Sequence, residues 1–173
     1  MSNRLLDVMD KAQKNRWCTS MWCTTCGNIY AREAISSIED LQAQLESIDP
    51  RRMVSYEKWC DVLRLAAFDN FLIIDWNRVL DAWYDYAAED ITFLDHIFFY
   101  IIGRYPVKEE IFKKWERLAV SKALKSENLS LIESIIRVLG EKTAQHKELL
   151  ELAFEKRGTS KLINDALIKA NLN

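Results

Sequence analysis

The sequence predicts an all-α protein, an irregular stack of antiparallel helix pairs that is solenoid-like or a bundle, with a cysteine-rich loop between its first two helices. Only 4 Gly and 2 Pro occur among 173 residues, which leaves little material for the many turns of a β protein. Apolar residues recur at intervals of three and four, which is the period of an amphipathic helix. Three of the 4 cysteines fall in one short stretch between two such segments.

The first two predicted helices enclose this stretch. Residues 3–16 place leucine, valine and methionine on one face and basic residues on the others. Asn28 is a good N-cap for a second helix, whose apolar line includes Leu41, Leu45 and Ile48 and which Asp49-Pro50 ends. Residues 1–50 are therefore expected to form a helical hairpin closed by the loop.

Residues 51–173 are expected to form the helical stack and to pack with residues 1–50 as one domain. Ser55 caps a helix that runs to about residue 68, and Asp75 caps the next one. Thr92–Asp95 resembles a capping box that opens a helix from Phe93 to Ile102, which Gly103 ends. The predicted inner face of the helix after Asp75 consists of Trp76, Val79, Leu80, Trp83 and Ala87.

The C-terminal half repeats this pattern of polar cap, apolar stripe and glycine exit. A helix is predicted from Val107 to Lys125, and Ser130–Glu133 matches a capping box for a helix that Gly140 ends. The last two helices are predicted over Thr143–Arg157 and Ser160–Ala170. Helix pairs recur about every thirty-five residues, a period typical of helical-hairpin repeats. No repeat signature accompanies that period.

The cysteines are candidate ligands of a structural zinc ion, Zn²⁺. Two of them stand two residues apart and are followed at once by Gly27, a spacing that suits a tight metal-binding knuckle. Four thiolates complete the tetrahedral set that structural zinc prefers, and His96 or His146 could replace the most distant cysteine. The predicted ligands are Cys18, Cys23, Cys26 and Cys60.

Two other interpretations of the cysteines remain open. Their spacing formally matches that of a plant-type iron–sulfur centre, although the third cysteine runs straight into a predicted helix rather than into a loop around a cluster. The four side chains could also be buried small apolar residues without any metal. The clustering favours zinc, and a full set of four thiolates favours a structural ion over a catalytic one.

The segment from Asp69 to Asp95 is strongly acidic. It holds seven acidic residues and one basic residue, a local charge of -6, whereas the whole chain carries -2. Such a field speeds the encounter with a basic partner, and neighbouring tyrosines supply contact area at low entropic cost. An ordinary solvated helix face with its aromatic rings turned inward is the alternative. The predicted partner-binding residues are Asp81, Asp85, Glu89, Asp90, Tyr84 and Tyr86.

The segment from Arg104 to Lys125 has the opposite bias, with seven basic and three acidic residues. Partners at i,i+4 such as Glu110 with Lys114 would make it a solvated face, and the pattern lacks the interleaved aromatic residues of single-strand binders. We therefore expect this segment to be a solvated helix face and not a phosphate-binding site.

Several classes of protein lack support in the sequence. The longest apolar run, Ile91 to Ile102, contains Asp95 and His96, so it does not predict a membrane span. No secretory signal pattern is found, and reduced cysteines suit a cytoplasmic location. Phosphate loops, paired metal histidines and nucleophile elbows are missing, so no catalytic residue is assigned and an enzyme is not expected.

The sequence thus favours a non-enzymatic, zinc-stabilised module that binds a protein partner, such as an inhibitor or an immunity-type protein that blocks a basic target. A nucleic-acid-binding regulator that uses a basic N-terminal end is one alternative. An iron–sulfur redox protein is the other. The residues of the basic end are Arg4, Lys11, Lys14, Arg16, Arg51 and Arg52.

Overall fold

The protein is presented as a computed structural model, which describes residues 38–53 and 74–172. Within these ranges the chain forms seven α-helices and no β-strand, which confirms the all-α class. The predicted helices over 3–16 and 55–68 and the cysteine loop lie outside the described residues. The irregular stacking of antiparallel helix pairs stays a prediction.

The chain divides into two compact units, Met1–Trp83 and Tyr84–Asn173, and the boundary falls within one helix. Whether residues 1–50 and 51–173 pack as one domain stays a prediction.

The first unit contains α1 (Ile38–Ser47), a short 3-10 turn (Pro50–Met53) and the first half of α2 (Trp76–Glu89). Helix α1 ends before Asp49-Pro50, as predicted, because proline disfavours helical backbone in the residue that precedes it. The predicted inner residues Leu41, Leu45 and Ile48 are all buried.

Polar contacts also join α1 to α2. The indole Nε1 of Trp83 donates a hydrogen bond to the carbonyl oxygen of Leu45 at 2.8 Å. The Gln42 amide accepts from the backbone N–H of Asp75 at 2.9 Å and donates to its carbonyl oxygen at 3.2 Å. Asp75 in turn accepts from the backbone N–H of Asn77 at 3.1 Å, which confirms it as the cap of α2.

The second unit is organised around one strongly apolar helix. It contains α3 (Ile91–Ile97) with a π-helical turn (Phe98–Ile102), α4 (Glu109–Ser126), α5 (Leu129–Leu139), a 3-10 turn (Gly140–Gln145), α6 (Lys147–Arg157) and α7 (Lys161–Lys169). Helix α5 contacts α3, α4 and α7. Apolar residues on more than one face give it these several neighbours. Its buried residues are Leu131, Ile132, Ser134, Ile135, Ile136 and Leu139.

Two predicted capping boxes are wrong. Helix α3 is capped by Asp90, whose carboxylate accepts from the backbone N–H groups of Thr92 and Phe93, and α5 is capped by Asn128. Both are Asx residues that precede the predicted serine or threonine, and Asx side chains are among the best N-caps. The acid expected to close the first box, Asp95, points instead toward α5.

Gly103 ends the π-helical turn at the predicted position. Its backbone N–H donates to the carbonyl oxygen of Phe98, five residues earlier, at 3.1 Å. A Cβ atom on this residue would lie 2.8 Å from Cγ2 of Val138 and 3.1 Å from the carbonyl oxygen of Phe99. Glycine therefore allows the close approach of this turn to α5.

Of the three glycines that the structure describes, Gly140 is the one with a positive φ, so a side chain at this position would strain the backbone. Its φ of 56° and ψ of -132° are rarely accessible to residues with a side chain. We expect Gly140→Ala to lower the free energy of unfolding by about 1–3 kcal/mol in urea denaturation. Gly158 has helical dihedrals and open space around its Cα, so Gly158→Ala should be neutral or stabilising by up to about 1 kcal/mol. Equal effects of the two substitutions would contradict the prediction.

Candidate protein-binding surface

The acidic residues predicted to bind a partner project from α2. The helix buries Trp76, Val79, Leu80, Trp83 and Ala87, as predicted. That apolar stripe turns the opposite side of the helix outward, and Asp85 and Glu89 are exposed there one turn apart in the second unit. Asp81 is also exposed on the same helix, in the part that belongs to the first unit. We call Asp85 and Glu89 the acidic face of α2.

The two tyrosines predicted for this surface are half-buried. The ring of Tyr84 meets that of Trp115 edge to face, with centroids 5.7 Å apart. The ammonium group of Lys114 lies 4.1 Å from the centre of the same Tyr84 ring, a cation–π contact. Tyr84 therefore joins α2 to α4, and only part of its ring is open to a partner.

Asp90, the remaining predicted contact residue, is the N-cap of α3. Its half-buried carboxylate accepts two backbone hydrogen bonds at the start of α3, at 2.9 and 3.0 Å. A carboxylate in this position also interacts favourably with the helix dipole. The candidate surface is therefore narrower than the sequence suggests and centres on the acidic face of α2.

The basic bias of residues 104–125 is partly neutralised by ion pairing, as expected for a solvated face. Lys113 and Glu109 form an i,i+4 pair at 2.6 Å on α4. The hydrogen bond between them lowers the pKa of Glu109 and raises the pKa of Lys113 from their ordinary values. Both side chains are largely exposed, so the pair contributes little to stability.

The predicted basic end is described at one side chain only. The guanidinium of Arg51 contacts the carboxylate of Asp49 through Nε at 2.9 Å and through Nη2 at 2.8 Å. The other five basic side chains of that end lie outside the described part of the chain. Nothing observed at Arg51 favours nucleic-acid binding, since its charge is matched by a neighbouring acid.

The predicted zinc ligands Cys18, Cys23, Cys26 and Cys60 also lie outside the described residues. The two histidines considered as substitutes are far apart in the sequence and have other neighbours. Nε2 of His146 lies 2.8 Å from Oε1 of Glu116, and the His96 ring meets that of Tyr100 edge to face at 5.9 Å. Among the residues that the structure describes, no three His, Cys, Asp or Glu side chains converge to hold a metal ion.

Sequence reasoning missed a cleft beside α4 and the start of α6, here called the α4–α6 cleft. It has a volume of about 430 Å³. Spacing along α4 places its basic and apolar lining residues on one side of that helix, but nothing in the sequence indicates that α6 begins beside them. The lining residues are Arg117, Val120, Ser121, Leu124, Lys125, His146 and Glu148.

None of the helices that the structure describes is both long and apolar enough to cross a membrane. A search of protein-family models, of curated proteins and of solved structures found no match to this chain.

Proposed function

We propose that the protein is a non-enzymatic binding module whose acidic face of α2 binds a basic protein partner. The observation that carries the proposal is the placement of Asp85 and Glu89 one turn apart and exposed, opposite a fully buried apolar stripe. Like charges at this spacing cost a few tenths of a kcal/mol in an isolated helix. A basic partner would remove that repulsion on binding.

The expected mechanism is occupation of a surface. The negative field of α2 would attract a positively charged patch and orient it during the encounter, which raises the association rate more than the affinity. The half-buried ring of Tyr86 lies next to Asp85 in the sequence and would add apolar contact area near the charges. Inhibition of a basic enzyme or toxin is the narrower form of this proposal.

The experiment compares two charge-matched variants in a pull-down from cell extract. Asp85→Asn/Glu89→Gln neutralises the acidic face, and Glu151→Gln/Glu155→Gln makes the same change at the same spacing between exposed residues of α6. We expect a basic partner retained at about 0.15 M salt by the unmodified chain and by the α6 variant, and lost from the α2 variant.

Equal recovery of the partner with both variants, or no retained partner at this salt concentration, would refute the acidic face as the binding surface. Far-UV circular dichroism of both variants controls for folding. Surface substitutions of this kind usually change stability by less than about 0.5 kcal/mol, so both variants should remain folded.

We also propose that a structural zinc ion held by Cys18, Cys23, Cys26 and Cys60 stabilises the N-terminal part of the chain. The support is the cysteine spacing alone. Elemental analysis should find one zinc per chain and no iron, and Cys23→Ser should reduce the zinc content. A coloured preparation that contains iron would favour the iron–sulfur alternative, and a preparation without metal would refute both.

A further inference from the structure

We propose that the α4–α6 cleft binds a small organic anion with an apolar body. Its volume is about 430 Å³ and it is largely open to solvent, so a ligand would lie along the cleft rather than be enclosed by it. The cleft is formed within the second unit, so the inference does not depend on the acidic face of α2. Three features of the lining point to this class of ligand.

The first feature is the positive charge along α4. Arg117 and Lys125 are both exposed and both line the cleft. Neither forms an ion pair with another residue in the described ranges, whereas Lys113 and Lys156 are matched by Glu109 and Glu127. Their charges are therefore available to a ligand. An arginine at one end offers the planar fork of donors that suits carboxylate, phosphate or sulfonate oxygens.

The second feature is the apolar floor between these charges. Val120 and Leu124 are half-buried and lie on α4 between Arg117 and Lys125. The two basic residues are eight positions apart, which is about 12 Å along a helix. That length accommodates an apolar body resting on the two aliphatic side chains, with its anionic group at one end.

The third feature is the opposite wall. His146 directly precedes α6, and its contact with Glu116 on α4 holds the imidazole in place. Glu148 is the only carboxylate among the described residues that line the cleft, against two permanent cations. The lining therefore favours an anion over a cation, and Glu148 could accept a hydrogen bond from a donor group on the ligand.

The test uses two fluorescent probes that share an aromatic body. Anilinonaphthalene sulfonate carries a negative charge, and phenylnaphthylamine does not. In a fluorescence titration of the full chain, we expect one sulfonate probe per chain and an affinity at least about tenfold higher than that of the neutral probe. The affinity for the sulfonate probe should fall as salt rises from about 0.05 to about 0.5 M.

The decisive variant is Arg117→Gln/Lys125→Gln. It should lower the affinity for the sulfonate probe at least about tenfold and leave the affinity for the neutral probe unchanged. Its matched control is Lys161→Gln/Lys169→Gln, which removes two exposed charges at the same spacing on α7. Helix α7 also exposes Leu162 and Ile168. If the probe binds to these apolar residues rather than to the cleft, the α7 control will lose affinity.

The proposal is overturned by no binding of the sulfonate probe, by equal affinities of the two probes, or by a loss of affinity in the α7 control rather than in the cleft variant. If the cleft variant does not fold, the proposal is tested with the unmodified chain alone. The two measurements are then the ratio of the affinities for the two probes and the salt dependence of sulfonate binding. The variant Asp85→Asn/Glu89→Gln should bind the probe normally, so failure of the cleft and failure of the α2 surface are distinguishable.

Discussion

Replacement of Trp83 by alanine is expected to lower the free energy of unfolding by about 3–5 kcal/mol, the range for removal of a fully buried tryptophan. The side chain has no exposed surface, so its deletion leaves a cavity and removes apolar burial. It also removes the 2.8 Å hydrogen bond from the indole to the carbonyl oxygen of Leu45 on α1. Urea denaturation followed by circular dichroism measures the effect.

Trp83→Phe separates the two contributions. Phenylalanine retains most of the apolar bulk but cannot donate to Leu45, so we expect a loss of about 1–3 kcal/mol. Ala82→Gln changes the neighbouring exposed position of α2 and should stay within about 0.5 kcal/mol. A loss below 1 kcal/mol for the alanine variant would contradict the burial of Trp83 between the elements of the first unit.

Removal of both serine hydroxyls that contact Asp95 should strongly destabilise the second unit although it deletes no apolar group. The buried carboxylate of Asp95 accepts from Oγ of Ser130 at 2.6 Å and from Oγ of Ser134 at 2.5 Å. These bonds join α3 to α5 across 35 and 39 residues of sequence. Ser130→Ala/Ser134→Ala leaves the carboxylate buried without these donors and should cost about 3–5 kcal/mol.

A double-mutant cycle with Asp95→Asn tests whether the carboxylate charge causes the loss of stability in the serine double variant. A neutral amide is less costly to bury without donors, so the serine double variant should cost at most about half as much in the Asp95→Asn background. Ser121→Ala, at an exposed serine of α4, controls for loss of a hydroxyl. The same loss in both backgrounds would show that the charge of Asp95 does not matter.

Helical class, most inner faces and several helix ends were predictable from the sequence. The stripe of Trp76, Val79, Leu80, Trp83 and Ala87 is buried as its periodicity predicts. Asp75 and Ser160 cap the helices expected of them, and α5 ends at Gly140. The acidic face of α2 follows from the same periodicity, because residues outside an apolar stripe must face outward.

The polar residues near the helix starts were less predictable. Asp95 and Ser130 were assigned to capping boxes, and they bond to each other instead. Asp90 and Asn128 precede the predicted capping boxes and provide the observed N-caps, as Asx side chains commonly do. Tyr84 and Asp90 likewise look like free surface residues in the sequence, yet Tyr84 contacts α4 and Asp90 caps α3.

The sequence by itself determined the helices, their buried sides and their charge bias, because periodicity and capping act between residues within about four positions of each other. The tertiary structure alone decided the contacts of Trp83 with Leu45, of Asp95 with α5 and of α4 with α6 in the cleft. These join residues more than twenty positions apart, and their formation depends on how complete helices pack rather than on any local pattern.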